Sequence, residues 1–288
     1  MTFYLGVDAG GSNCRSRLVS ATGAVIGSAA IGPANARVGL DKLYEALREV
    51  TQRAISAAGL GEDQVATIHA GFGIAGISRA GVRAGLEAFA FPFASTRYET
   101  DAFIANVGAN AGGDGAVLII GTGSVAHVRM MDSSFTIGGY GFPISDEGSG
   151  AALGLSAMRH ALRAMDGRTR STPLSIAVMA RFGHDPARAI AWMDEATPKD
   201  YGTLAPLVMD HAEADDAIAR SIVEDAAAHI ERFIETIFER GLPRCVLVGG
   251  LSQRMKPWLR SRTVSRLSEA IGDPLDGALR LAGYLPKG

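Results

Sequence analysis

The sequence FYLGVDAGGS, Phe3–Ser12, starts as an apolar strand and runs directly into a turn of glycine and hydroxyl residues. The sequence AVLIIGTGS, Ala116–Ser124, repeats this plan after the turn-rich segment Asn110–Gly115. In both places the chain then returns as a second strand, over 15–21 and 125–130. The repeat is short, and we take it as a hypothesis of internal duplication.

The break after the first repeat divides the chain into two predicted domains, 1–114 and 115–288, each large enough to bury its own core. The first domain has predicted strands at Phe3–Ala9, Arg15–Ala21, Ala24–Ser28, Thr67–Ile74 and Thr96–Thr100, and helices over 41–59 and 81–89. The second is predominantly helical over 147–165 and 174–240 and ends with a strand over 245–248. This alternation is typical of α/β proteins.

The two glycine turns are candidate phosphate-binding sites, because glycine lets backbone N–H groups converge closely on an anion. The first turn offers Gly10, Gly11 and Ser12, and the second offers Gly121, Thr122, Gly123 and Ser124. Either turn alone is better explained as an ordinary hairpin, and neither has the Walker pattern. Their combination favours a nucleotide triphosphate. Asp8 supplies a carboxylate that could hold hydrated Mg²⁺ beside the phosphates.

A third glycine turn follows the predicted strand over 245–248. Gly249, Gly250 and Ser252 are small enough to let an adenine or ribose lie against the backbone. A simple strand-to-helix turn explains the same residues equally well.

Asp101 is the candidate catalytic base, because a hydroxyl that accepts a phosphoryl group must lose its proton. The alternative role is a helix N-cap, worth about 1 kcal/mol, which the position of Asp101 at a predicted helix start also explains.

The segment 138–150, GGYGFPISDEGSG, is too rich in glycine and polar residues for a core element. We interpret it as a binding loop that includes Gly139 and Asp146. A long surface turn is the alternative, but it leaves the apolar Tyr140, Phe142 and Ile144 poorly explained.

Taken in order, these motifs resemble the sugar-kinase branch of the actin, Hsp70 and hexokinase superfamily. Within it they resemble the N-acetylglucosamine and glucosamine kinases of the BadF/BadG/BcrA/BcrD type, and the loop over 142–150 is the most specific match. The resemblance covers nearly the whole chain. It places the sugar beside Asn35, Ala75, Gly76, Gly139 and Asp146, with Asp101 as the base.

Two residues depart from the animal N-acetylglucosamine kinases. Val125 stands in place of an asparagine near the sugar, and Tyr140 stands in place of a tryptophan. Both differences favour free glucosamine as the substrate.

Composition excludes several other classes. The chain is 47% hydrophobic and 20% charged with a net charge of −2, as in ordinary globular proteins and unlike nucleic-acid binders. No run approaches the ~18 apolar residues of a membrane span, and no signal peptide is recognisable, so we expect a cytoplasmic protein. Cys14 and Cys245 are isolated and predict buried thiols, not a metal site.

The resemblance therefore implies an α/β fold of two ribonuclease H-like, actin-like ATPase domains with a ligand cleft between them. It implies a kinase that uses ATP and Mg²⁺ to phosphorylate the 6-hydroxyl of glucosamine or N-acetylglucosamine. The alternatives are an ATPase that activates another enzyme and a non-catalytic sugar sensor. The expected partner is the small-molecule sugar. The sequence does not decide whether the protein forms a homodimer.

Overall fold

The computed structural model describes residues 1–11, 13–131 and 133–286, and Ser12 therefore lies outside the described residues. The strands are Phe3–Ala9 (β1), Cys14–Ser20 (β2), Val25–Ile31 (β3), Ile68–Ile74 (β4), Ser95–Thr100 (β5), Gly115–Ile120 (β6), Ser124–Met130 (β7), Ser133–Gly138 (β8) and Cys245–Val248 (β9). Sequence patterns had predicted these strands to within a few residues, except β8, which they missed.

Helices connect and cover these strands. They are Leu40–Ala58 (α1), Glu62–Val65 (α2), Val82–Ala88 (α3), Asp101–Ala109 (α4), Gly150–Met165 (α5), Pro173–Ala180 (α6), Pro186–Glu195 (α7), Pro198–Gly202 (α8), Ala205–Glu213 (α9), Ala217–Glu239 (α10), Ser252–Met255 (α11), Ser261–Val264 (α12) and Pro274–Leu281 (α13), with 3₁₀ turns at Ala36–Val38 and Lys256–Trp258. Among the described residues, no helix is both long enough and apolar enough to span a membrane.

The four strands of the second sheet follow the same order as four of the five strands of the first, as the duplication hypothesis requires. The first has the order β3-β2-β1-β4-β5, and the second has the order β8-β7-β6-β9. In each, an antiparallel meander is followed by a strand that pairs in parallel with the first strand of the meander. The ribonuclease H-like α/β fold predicted from the sequence is confirmed.

Each sheet belongs to its own compact unit with its own hydrophobic core. The first unit comprises Met1–Asp114 together with the segment that begins at Glu269, and the second comprises Gly115–Ser268. The core of the first unit includes Leu5, Phe72 and Leu43, all fully buried. The core of the second forms around Leu118.

The position of the last helix corrects the predicted boundary of the second domain, 115–288. Helix α13 packs on β1, β4 and α4 of the first unit. Glycines allow this approach, because a Cβ added to Gly71 would overlap Ala278 O and one added to Gly277 would overlap Ile104 O. The helix is also held by charge, since the guanidinium of Arg17 on β2 contacts two aspartates at its start, Asp273 at 2.7 Å and Asp276 at 2.8 Å.

Candidate active site

The candidate residues of the first unit gather at one edge of its sheet. Strands β1, β4 and β5 run parallel to one another, with Asp8 opposite Gly73 and Ile74 opposite Thr100. Because the carboxyl ends of parallel strands meet at a common edge, the residues that follow them share that edge, where ligands of α/β proteins bind. Asp8 lies near the end of β1, and Asp101 directly follows β5.

Backbone hydrogen bonds join the loops at this edge. Ala75 N–H donates to Ala9 O at 2.9 Å, and Ala36 N–H donates to Ala75 O at 3.0 Å. Ala34 N–H donates to Gly10 O at 3.1 Å. The first phosphate turn and the two predicted sugar-side segments are therefore parts of one bonded loop cluster.

Asn35 lies within this cluster, and the residue after it, Ala36, lies beside Gly76. The Oδ1 of Asn35 accepts the N–H of Arg37 at 2.9 Å and caps the short 3₁₀ turn, which leaves its Nδ2 as a donor for a ligand. Gly76 has φ +80, and a Cβ there would come within 3.3 Å of the Cβ of Ala36. The close approach of these two segments thus depends on glycine.

The Asp8 carboxylate is largely buried, its side chain being 14% exposed, and it accepts a hydrogen bond from Arg15. Arg15 stands directly opposite Asp8 on β2, and its Nη2 lies 2.7 Å from Asp8 Oδ2. The Nε of Arg15 is also buried and has no protein hydrogen-bond partner. Sequence reasoning missed Arg15, although the hairpin register could have revealed it.

Asp101 is not the N-cap of α4. That role belongs to Thr100, whose hydroxyl accepts the N–H of Phe103 at 3.0 Å. Asp101 is the first helical residue, and its Oδ1 accepts the N–H of Ala102 at 3.0 Å. Burial, and to a lesser degree the negative charge of Asp8, raise the pKa of Asp101 above its ordinary value, although the Ala102 hydrogen bond opposes the shift. The capping explanation of this aspartate is therefore removed.

In the second unit, the turn Gly121–Ser124 is bonded to the start of helix α5. Gly150 N–H donates to Gly121 O at 2.8 Å, and Ala151 N–H donates to Thr122 O at 3.1 Å. The N-terminus of α5 therefore lies against the turn. Ser149 accepts the next two N–H groups of the helix, those of Ala152 and Leu153. The start of α5, residues 150–153, therefore fixes the turn and has no free N–H group for an anion.

Ser124 faces the loop over 138–150, which differs from the prediction that it faces a phosphate. The residue is 1% exposed, and its hydroxyl donates to Glu147 O at 2.7 Å. Its backbone N–H donates to Asp146 Oδ1 at 3.2 Å. The second phosphate turn and the predicted sugar loop are therefore joined through this serine.

The loop over 138–150 depends on unusual backbone conformations. Gly139 has φ +73, and a Cβ there would lie 2.7 Å from Val125 Cγ2. Asp146 also has a positive φ, +67, which is uncommon for a residue other than glycine and tends to occur at functional sites. Tyr140 and Ile144 are 85% and 89% exposed, so the loop presents large apolar side chains to solvent.

The turn after β9 has a tight geometry that explains its first glycine. Gly249 has φ +106, and a Cβ there would overlap the backbone of Ile120. Leu251 N–H donates to Ile120 O at 3.1 Å. Ser252 is buried, and its hydroxyl donates to Gly249 O at 2.7 Å, so its side chain closes the turn. Gly250 borders open space.

The two cysteines are buried free thiols. Burial raises the pKa of both Cys14 and Cys245 to about 12, which leaves them protonated and poorly nucleophilic. Within the described ranges no group of three or more metal-binding side chains is present.

Comparison with known proteins identifies the family. The model of one ATPase family matches residues 5–280, nearly the whole sequence. The chain belongs to the BadF/BadG/BcrA/BcrD ATPase family. This confirms the resemblance drawn from the motifs.

Relatives of the family support the same assignment. A glucosamine kinase of Vibrio cholerae is 35% identical over 98% of this chain and 96% of its own length. A solved structure from Chromobacterium violaceum, a candidate N-acetylglucosamine kinase, is 31% identical with a TM-score of 0.90 and covers 98% of this chain and 99% of that one. A glucokinase of the ROK family from Streptomyces griseus is 15% identical with a TM-score of 0.51, covering 98% of each chain, and so shares the fold alone.

Proposed function

We propose that this protein transfers the γ-phosphoryl group of ATP to the 6-hydroxyl of an amino sugar, with glucosamine preferred over N-acetylglucosamine. The observation that carries the proposal is the state of Asp101. Its carboxylate is partly buried at the sheet edge, its pKa is raised, and helix capping is left to Thr100. Membership of an ATPase family and the glucosamine kinase relative support the reaction and the substrate class.

Asp101 would act as the general base. The sugar hydroxyl passes its proton to the Asp101 carboxylate while the hydroxyl oxygen forms a bond to the γ-phosphorus. The bond from that phosphorus to the β–γ bridging oxygen breaks, and ADP leaves. A raised pKa suits this role, since a base works best when its pKa lies nearer the working pH.

Backbone donors would hold the nucleotide. The N–H of Gly10 donates to Asn13 O and that of Gly121 donates to Gly123 O, so these two glycines would shape the turns. The N–H groups of Gly11, Thr122 and Gly123 would then bind the phosphates. The open space at Gly250 would receive the adenosine beside Gly249. On the sugar side, Asn35, Ala75, Gly76, Gly139 and Asp146 would provide the contacts.

The residues around Asp8 fit a hydrated Mg²⁺. Arg15 engages only Oδ2 of the carboxylate, so Oδ1 can accept a hydrogen bond from metal-bound water. Such an ion would be held mainly by phosphate and water and would not need a cage of protein ligands. When bound, Mg²⁺ would neutralise phosphate charge.

The proposed preference for glucosamine over N-acetylglucosamine rests on Val125. Its side chain lies against the backbone of Gly139, within the predicted sugar loop, and offers no hydrogen bond to an N-acetyl group. A site without a polar partner for the acetamide leaves that group unsatisfied when it is buried.

A coupled ADP-release assay with glucosamine, N-acetylglucosamine, N-acetylmannosamine and glucose tests the proposal. We expect the highest kcat/KM with glucosamine and little ADP release without sugar. Turnover of glucose equal to that of the amino sugars would refute the substrate class. Sugar-independent hydrolysis at the same rate would favour the ATPase alternative instead, and the absence of ATP turnover would favour a sensor.

A further inference from the structure

Ser124 occupies a position through which the phosphate turn could act on the sugar loop. Both of its hydrogen-bond donors point to the loop, the hydroxyl to Glu147 O at 2.7 Å and the N–H to Asp146 Oδ1 at 3.2 Å. The residue is fully buried. A buried hydroxyl with a short bond to a backbone carbonyl restrains that carbonyl and is costly to break.

Asp146 is fixed by its bond to the turn and by a second bond within the loop. Its carboxylate lies close to Gly123, so that a Cβ added to this glycine would come within 3.0–3.1 Å of it. The backbone C=O of Asp146 accepts the N–H of Ser149 at 3.1 Å. The backbone of Asp146 is in the left-handed region, φ +67, which aspartate adopts more readily than most residues other than glycine. The loop and the turn thus form a single restrained arrangement.

Phosphate binding would disturb this arrangement in a defined direction. The Asp146 carboxylate accepts an N–H of the same turn that is proposed to bind phosphate, and an arriving phosphate would repel it. A sugar that donates hydroxyl hydrogens to Asp146 would draw the carboxylate away from the turn as well. Both ligands therefore favour the same rearranged loop, and ligands that favour the same state bind cooperatively.

We propose that Ser124 is a positioning residue that ties the phosphate turn to the sugar loop, so that ATP and the amino sugar strengthen each other's binding. The inference rests on the proposed function. The hydroxyl bond to Glu147 holds the residue next to Asp146 to the turn while Asp146 exchanges its partner, in addition to the bond of Gly150 N–H to Gly121 O at the end of the loop. Without the hydroxyl bond, the loop around Asp146 would lose its link to the turn as soon as the carboxylate moves.

Calorimetric titration of the full chain tests the coupling. The Kd for glucosamine is measured with and without a saturating non-hydrolysable ATP analogue, and the Kd for the analogue with and without glucosamine. By linkage, the two ratios must agree. We expect a ratio of about fivefold or more in the natural protein, within the usual range of such coupling, and a ratio near one in Ser124→Ala.

Thr263→Val is the matched control. Thr263 is also buried in the second unit, and its hydroxyl donates to Glu231 Oε1 at 3.2 Å, away from the loop; its loss should leave the ratio unchanged. Should Ser124→Ala fail to fold, Ser124→Cys keeps the volume with a weak donor and should lower the ratio.

An uncoupled natural protein, or a Ser124 variant with undiminished coupling, would overturn the inference. Sugar phosphorylation without coupling leaves the proposed function intact, whereas loss of both sugar binding and turnover in the natural protein refutes the function itself.

Discussion

Asp101→Asn separates catalysis from helix capping. The variant keeps the size of the side chain, and its Oδ1 can still accept the Ala102 N–H seen at 3.0 Å. Thr100 continues to cap α4. Removing a general base costs about 10²- to 10⁴-fold in turnover, which corresponds to about 3–5 kcal/mol of transition-state stabilisation at 1.36 kcal/mol per tenfold.

The same structure predicts that this loss of activity has no cost in stability. Because the pKa of Asp101 is raised by burial and by Asp8, the folded state favours the protonated, neutral form. The ionised carboxylate therefore detracts from stability once the pH exceeds its ordinary pKa, and more fully above the raised value. A neutral amide removes this penalty, so the unfolding temperature at pH 7 should be unchanged or higher.

Steady-state kinetics and calorimetry measure both effects. Thr100→Ala is the control with the opposite pattern. Loss of the helix cap should reduce the free energy of unfolding by about 1 kcal/mol and lower the melting temperature by a few degrees. Turnover should fall far less than in Asp101→Asn. An Asp101→Asn protein with near-natural kcat would refute the catalytic role.

Three further predictions concern charge and glycine geometry. Asp8→Asn should move the acidic limb of the pH profile of kcat/KM to lower pH, because loss of the Asp8 charge lowers the pKa of Asp101. A pH–rate series in which this limb does not move would contradict the prediction. Gly139→Ala should raise the KM for sugar more than the KM for ATP, since the loop must shift to admit a methyl group; equal changes in both would argue against a sugar-side role. Gly277→Ala should lower the melting temperature by several degrees by forcing α13 from α4, whereas Gly61→Ala, in open space, should change it little.

Short sequence patterns were sufficient to predict those parts of the fold and of the candidate site that are determined by residues close together in the sequence. Strand β1 and its glycine turn, strand β6 and its turn, and the aspartate after β5 all follow from short patterns of apolar, glycine and acidic residues. The meander register is equally local, because only four residues of sequence connect Ala9 to Cys14, which stand opposite each other, and Asp8 then stands opposite Arg15. That ion pair could have been predicted by counting outward from the turn.

Helix α13 shows what a local pattern cannot supply. Its start is visible in the sequence as an aspartate followed by proline, and Asp273 indeed forms a capping box with Asp276. Its packing partners lie more than 160 residues earlier, at Gly71 and Gly108. Glycines in a strand and a helix signal close backbone approach, but they do not say which element approaches.

The duplicated topology explains why the proposed metal chemistry belongs to one unit only. Counted back from the turn, the penultimate cross-strand pair is Asp8 with Arg15 in the first sheet and Ile119 with Val125 in the second. An ion pair in one repeat is thus replaced by an apolar pair in the other, and directly opposed side chains are what stabilise each hairpin. The first turn can therefore offer a carboxylate to a hydrated cation, while the second offers backbone N–H groups and the hydroxyl of Thr122. The acidic residue near the second turn, Asp146, comes instead from the loop over 138–150, and its carboxylate accepts the N–H of Ser124, which agrees with its proposed contact with the sugar and not with a metal.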